Sequence, residues 1–574
     1  MGLLNSALQV GRTALLSYEG ALQVVGSNIS SVGSPDYTRL SPQLDPLQGG
    51  RITGDLQPGA GVALTAIQRN IDEALEGRVR LAIGAQASAS TQEGSIAQVE
   101  SFFDDLSGTG AGARLLEFFH AFDELQNTPE DLAVRDLAIT EGVLLAESLR
   151  ELRAKLARLG DDIDGQIAAI VANADQIARD IARLNEEITT AEARGQGQAT
   201  GLRDQREALL RDLSELFDVT VHEQPNGTIN VYIASEALIQ GHSVRGLVAV
   251  EEVVGESTRT SIRFADTNQQ VEVRGGRLEG LILSRDQHLQ IEVVDELAAA
   301  VIAEVNRIHA DGQGLTGFTS VTGSNDVLAT DAPLDSSAAG LSFPPRNGSF
   351  YITVSDDVTS TPVAYRINVE LDGTDAGTTL ESLVEDINAR VEGVTASITS
   401  DHRLQLTAGA GFTFTFGYDG QEAREDTSQL LAALGINTFF TGADARNIAV
   451  SEALVEQPSL LAAASVFLSG DGTNAGRIAA LDTALSERLG GVSIAGFYNS
   501  IASTAAVRSA AVHDDVEATS SVLAALQTQR ESISGVNLDE EAISLIKFER
   551  AFQGAARYVS VVDELLRELI VLIR

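Results

Sequence analysis

The two ends of the 574-residue chain carry one pattern. From Leu4, apolar or small residues step by four and three through Leu8, Gly11, Leu15, Tyr18, Leu22, Val25, Ile29 and Val32. From Phe548 they step the same way through Phe552, Ala555, Val559, Val562, Leu566, Leu569 and Ile573. A 3.5-residue repeat held over about four heptads marks a coiled-coil seam, narrower than the stripe of a globular amphipathic helix. Asn537 caps the second helix, and Asp539, Glu540 and Glu541 set acids against its positive end. Two complementary seams predict that the termini pair with each other. A thin two-helix rod buries too little surface to be stable alone, so further copies or a partner are expected to order it.

Charge narrows the partners. The chain has 40 basic against 81 acidic residues, a net charge of -41, which repels a nucleic-acid backbone or an anionic bilayer. Neither nucleic acid nor membrane insertion is expected. There is no cysteine, which excludes disulfides, thiolate metal sites and thiol nucleophiles. No window nears the roughly 18 apolar residues needed to cross a bilayer. Asn5, Ser6, Gln9 and Arg12 interrupt the start of the chain, so no cleavable secretory signal is expected.

Between the ends lies more helix. Ile163, Ile167, Ile170, Ala174, Ile177, Ile181, Leu184, Ile188 and Ala191 form a third seam, and a single long helix is predicted over roughly 277–310. Residues 218–275 alternate apolar and polar behind the turn Asn226-Gly227, as short strands do. Residues 317–445 turn to Gly, Ser, Thr and Asp, with strands at 350–354 and 412–416 around a helix at 379–391. The expected fold is therefore mainly α. Residues 1–40 and 535–574 form a paired terminal domain, 41–316 with 446–534 a helical-bundle body, and 317–445 an inserted α+β, β-rich domain.

Chemistry is hard to find. Seven histidines are scattered without metal spacing, and Gly241-His242-Ser243-Val244-Arg245 lacks the second glycine of a nucleophile elbow. No catalytic residue, metal or cofactor is expected, and no enzyme.

The first helix ends Ser27-Asn28-Ile29-Ser30 and leads to Ser34-Pro35-Asp36-Tyr37-Thr38-Arg39. This resembles the N-terminal signature of bacterial flagellar axial proteins, the rod, hook and hook-associated proteins. Ser31 stands for that signature's second asparagine and Asp36 for its usual glycine. Further stretches resemble the hook-associated protein 1 family: Gly59 to Asp72, Pro129 to Arg135, Leu202-Arg203-Asp204-Gln205-Arg206, and Ser534-Gly535-Val536-Asn537-Leu538-Asp539-Glu540-Glu541. The likeness covers about 1–316 and 446–574.

The resemblance implies a structural protein of the hook–filament junction, secreted through the flagellar type III apparatus after a cytoplasmic stage. The implied partners are further copies in a ring, the hook protein, the second junction protein and an export chaperone at the C-terminal helix. The expected assembly residues are Leu4, Leu8, Leu15, Leu22, Val25, Asn28, Ile29, Tyr37 and Arg39, with Phe548, Phe552, Val559, Val562, Leu566, Leu569 and Ile573. The competing readings are another axial protein, or a secreted adhesin or cell-wall enzyme carried by the insert.

Overall fold

A computed structural model describes residues 2–34, 36–48, 59–103, 108, 110–193, 197–254, 257–356, 362–371, 373, 377–466, 468 and 470–573. Helix makes up 55% and strand 17% of the protein, so the fold is mainly α. In chain order the helices are α1 (Gly2–Ser30), α2 (Glu73–Phe102), α3 (Ala111–Asn127), α4 (Leu132–Ala193), α5 (Thr200–Leu216), α6 (Gly276–Leu283) and α7 (Ile291–His309). They continue with α8 (Leu380–Arg390), α9 (Leu430–Leu434), α10 (Glu452–Glu456), α11 (Thr473–Ala479), α12 (Ile494–Ser534) and α13 (Leu538–Ile573). Two compact units divide the chain: Met1–Ser95, Asp162–Asp286 and Ala510–Arg574 form the first, Ile96–Asp161 and Gln287–Ser509 the second. The sequence had suggested three parts. Of the four borders between the units along the chain, three fall inside α2, α4 and α12, each of which gives residues to both units, and the fourth falls in the turn Ser284–His288.

In the first unit, β1 (Leu40–Pro46) and β2 (Val62–Arg69) make an antiparallel hairpin with a bulge at Gln43/Leu44. The third seam appears here on α4, where Ile163, Ile167, Ala174, Ile181 and Ile188 are buried. Above it lies a sheet in which β3 (Thr220–Glu223), β4 (Ile229–Ile233), β5 (Glu236–Gln240) and β6 (Ser243–Val244) pair in order, followed by the separate hairpin β7 (Leu247–Val254) and β8 (Ser257–Phe264). Asn185 of α4, fully buried, ties this sheet down: its amide nitrogen donates to the carbonyls of Ile229 and Gly241. The C-terminal part of α12 runs antiparallel to α2. Arg530 Nε donates to Glu76 Oε1 at 2.8 Å, and His513 Nδ1 lies 2.7 Å from Glu93 Oε1.

The helix expected over 277–310 is broken. After α6 comes a π-helical turn at Ser284–His288, then Gln290 with φ of 52°, and only then α7. The break sits where the chain passes from one unit to the other, so the apolar stripes on its two sides serve different cores.

The second unit packs around aromatic rings. Phe118 meets Phe119, Phe122, Phe439 and Phe440 at centroid distances of 5.0 to 5.5 Å, mostly edge to face. A distinct cluster spanning Ala310 to Ile436, with Phe350, Ile352, Phe414, Phe416, Leu383 and Leu406, forms the core beneath two small sheets. One orders β11 (Val363–Val369), β10 (Gly348–Asp356) and β14 (Phe412–Phe416). The other orders β12 (Val394–Ile398), β13 (Leu404–Ala408) and β9 (Ser320–Thr322). Thr379 caps α8 reciprocally with Ser382, as the turn before an apolar helix should. The short pair β15 (Phe440–Thr441) and β16 (Ala449–Val450) follows.

The two ends of this β-rich stretch are clasped together. Asn437 donates to the carbonyls of His309, Ala310 and Gly312, and Asn306 accepts from the amides of Phe439 and Phe440. His309, fully buried, lies 2.8 Å from the Asn437 carbonyl through Nδ1 and accepts from the Ala462 amide through Nε2. Burial pushes its pKa down to about 4, which keeps the ring neutral and able to accept there.

Candidate assembly site at the paired termini

Helices α1 and α13, some 500 residues apart in sequence, lie side by side. Gly11 sits against Val559 and Tyr558, so close that any Cβ there would collide with Val559. At the other end Asn28 Nδ2 donates to Glu541 Oε2 at 3.1 Å. These two pairs fix an antiparallel register. The same register sets Leu4 level with Leu566, Leu8 with Val562, Leu15 with Ala555 and Leu22 with Phe548.

Of the expected assembly residues, Val25, Asn28 and Val562 are buried in the single chain. Leu4, Leu15, Leu22, Ile29, Tyr37, Arg39, Phe548, Phe552, Val559 and Leu566 are half-buried, and Leu8 is 36% exposed. Leu569 and Ile573 belong to α13, with side chains outside the described residues. The rest of α13 is surprisingly apolar on its wet side. Ile543 is 68% exposed, Val561 55% and Val571 75%, with Ile546, Leu565 and Ile570 also exposed.

A second buried face of α1 lies beside the seam. Ser17 is buried, and its Oγ lies 2.9 Å from the Val62 carbonyl and accepts from the Leu64 amide. With Ala21 and Val24 it lies on the face next to the predicted stripe, one position before Tyr18, Leu22 and Val25, and the serine satisfies backbone groups on the free edge of the hairpin.

The turn after α1 explains itself side chain by side chain. Pro35 lies outside the described residues. Asp36 pairs with Arg211 at 2.7 Å. Tyr37 donates to Asn28 Oδ1 at 2.8 Å, and burial raises its pKa, so it stays a donor. Thr38 is buried beside Arg69, whose Nε reaches Asp204 at 2.7 Å. Arg39 forks between Glu541, 2.8 Å from its Nε, and Glu540, 2.6 Å from its Nη1, while its own amide donates to the Ser534 carbonyl. Asn28 closes the ring by exchanging hydrogen bonds with both backbone groups of Leu40.

Sequence reasoning names Glu541 as an acid of the first turn of α13 but does not place it among the assembly residues. Its side chain is 2% exposed and shared by Asn28 and Arg39, whereas its position in an acidic run suggests only helix-dipole chemistry. Nothing local to either end marks the pairing of Arg39 with residues 501 and 502 positions away. Removing one partner of such a hydrogen-bonded ion pair leaves the other charge uncompensated, which costs about 3–5 kcal/mol where that group is buried, as Glu541 is. Among the described residues no helix is long and apolar enough to cross a membrane, and no cluster of His, Asp and Glu is arranged to hold a metal.

Residues 96–325 match the flagellar hook-associated protein FlgK helical domain. Residues 349–410 match the flagellin hook IN motif, and 527–572 the C-terminal region of the flagellar basal body rod FlgEFG proteins. Flagellar hook-associated protein 1 of Escherichia coli (strain K12) is 25% identical over 593 residues, covering 99% of this chain and all of its own length. Its counterpart in Bacillus subtilis (strain 168) is 22% identical, covering 98% of this chain and 97% of its own. Among solved structures, the flagellar hook junction protein FlgK from Burkholderia pseudomallei is similar in fold, with a TM-score of 0.52 at 15% identity, over 80% of this chain and 100% of that one.

Proposed function

Because the chain belongs to the flagellar hook-associated protein 1 family, and is therefore a structural component of the flagellum rather than an enzyme, we propose that it builds the joint between hook and filament. The observation that carries this reading is the wet apolar side of α13. A monomeric helix already packed on one face does not keep Ile543, Ile546, Val561, Ile570 and Val571 in water unless another surface covers them. Further copies of the chain are the fitting cover. In a protein of net charge -41, α1 carries one acid, Glu19, and one base, Arg12, so copies can approach here without the repulsion that acts elsewhere.

On this reading residues 1–40 and 535–574 form the inner tube, and the helices of 41–316 and 446–534 the layer around it. The β-rich stretch 317–445 projects outward. The ring contacts the hook protein on one side and the second junction protein on the other. Before export through the flagellar type III apparatus, a cytoplasmic chaperone covers the same apolar side of α13.

A deletion strain tests both the joint and the insert. Without the gene, cells are expected to build hooks, carry no filaments and release flagellin into the medium; retained filaments contradict the reading. Complementation with the full chain should restore swimming. A chain in which a short linker replaces 320–428 of this stretch, keeping Asn437, Phe439 and Phe440, should restore it too, since the clasp at Asn437 still holds the two ends together and closure costs grow by only ~0.6 kcal/mol per doubling of loop length. Filament loss with normal export in that strain makes the insert part of the joint.

A further inference from the structure

Another 3.5-residue repeat runs along the wet side of α13, stepping by four and three from Ile543 to Val571. Every residue at these steps is exposed. The first half of the repeat holds the cations Lys547, Arg550 and Arg557, and the second half the anions Glu564 and Glu568. Ile543, Val561 and Val571 are its apolar members, and a side chain at Gly554 would meet nothing within 4 Å.

Among the described residues none of these five charges has an ion-pair partner; Lys547 only approaches the Phe548 ring, at 5.9 Å. Neighbouring charges that point off the repeat are occupied. Glu549 accepts from Gln553, and Asp563 pairs with Arg567 at 2.9 Å. A seam whose free cations and free anions lie in opposite halves is its own complement when turned end for end. Centred level with Val559, an antiparallel pair sets Arg550 beside Glu568 and Gly554 beside Glu564 of the other copy, each twice by symmetry, with Arg557 beside Val561. Two parallel copies in register would set cation on cation and anion on anion.

We propose that free copies of the chain pair in this way, antiparallel through the wet seam of α13. At physiological ionic strength the screening length is ~8 Å, so the acids of the bodies act weakly at the seam. The pair is closed by its two-fold axis. A ring, in which every copy points the same way, cannot use it, so the dimer holds α13 back from assembly until the copies separate. The pairing belongs to the free protein and is independent of what α13 meets in the joint.

Sedimentation velocity of the purified full chain over a range of concentrations tests it, and is expected to show monomer and dimer in equilibrium with no larger species. Arg550→Glu and Glu568→Arg should each weaken dimerisation about tenfold, and the double variant should return it to near the wild-type value. Disulfide trapping reads the direction, since the chain has no cysteine of its own. Arg550→Cys mixed with Glu568→Cys should give a cross-linked dimer under air oxidation. Arg550→Cys alone should not, because its two copies lie ~27 Å apart along the helix axis. A wild-type chain that stays monomeric or grows past the dimer, single charge variants that associate like wild type, a double variant that is not restored, or Arg550→Cys linked to itself overturns the proposal. Should a charge variant fail to fold, wild-type sedimentation and the cysteine mixture decide, and absence of the mixed disulfide then overturns it.

Discussion

Cells whose only copy carries Leu566→Asp are expected to make hooks, lose all filaments and shed flagellin, while the purified variant keeps its helix content. Leu566 is half-buried in the single chain and stands level with Leu4 in the register set by Gly11 and Glu541. A carboxylate there is tolerable in a monomer, where one side of the seam stays wet. Between packed copies it is an ionised group without a partner, and such burial costs several kcal/mol at least, on the order of what removes an assembly altogether. Secretion of the variant must be measured alongside, because α13 is also the proposed chaperone surface. A variant that is exported and still carries filaments at wild-type density contradicts the role given to the seam.

The second large effect concerns pH and the clasp of the insert. Asp311 follows α7, is buried, and accepts the Asp426 amide through Oδ1 at 2.7 Å. Burial pushes its pKa up to about 7, against the favourable Asp426 amide and with the further unfavourable charges of Asp426 and Glu425; Arg477 opposes them. Asp426 is itself raised by burial, although Ser428 and the Leu431 amide hydrogen-bond its carboxylate. The sign follows from linkage. Asp311 binds its proton more tightly folded than unfolded, so its contribution is complete below about pH 4 and is lost as pH rises through about 7. A shift of about three units corresponds to roughly 4 kcal/mol at most. Asp311→Asn, which keeps the acceptor oxygen and imitates the protonated acid, should match wild type near pH 4, exceed it by a growing margin up to about pH 7, and keep that margin at pH 8. Urea unfolding followed by circular dichroism from pH 4 to 8 checks this. Parallel pH profiles for the two proteins contradict it.

Periodicity made much of this protein legible. The α4 stripe is buried where a heptad places it, the turn at Asn226-Gly227 joins the strands it predicts, and the helix expected over 379–391 is present as Leu380–Arg390. Tertiary context decided the rest. The stripe over 277–310 is continuous in sequence, yet a π-helical turn and Gln290 split it at a unit border that no local signal marks. Arg135 illustrates another limit. It is 1% exposed, donating to the Pro129 and Leu461 carbonyls, and an arginine that serves only carbonyl oxygens reads in sequence as a surface charge. At the terminal node, Asn28, Tyr37 and Arg39 drew notice as a motif, but their common partner Glu541 lies at the far end of the chain. Spacing within a segment reveals faces; it does not reveal which distant face each one meets.

The central claim is that the apolar side of the paired terminal helices is covered by further copies in the assembled joint. Electron cryo-microscopy of purified hook–filament joints, at a resolution that shows side chains, tests it most directly. The account predicts α1 and α13 around the central channel, with Ile543, Ile546, Val561 and Val571 packed between neighbouring copies. Terminal helices at the periphery, with those four side chains in solvent, would contradict it.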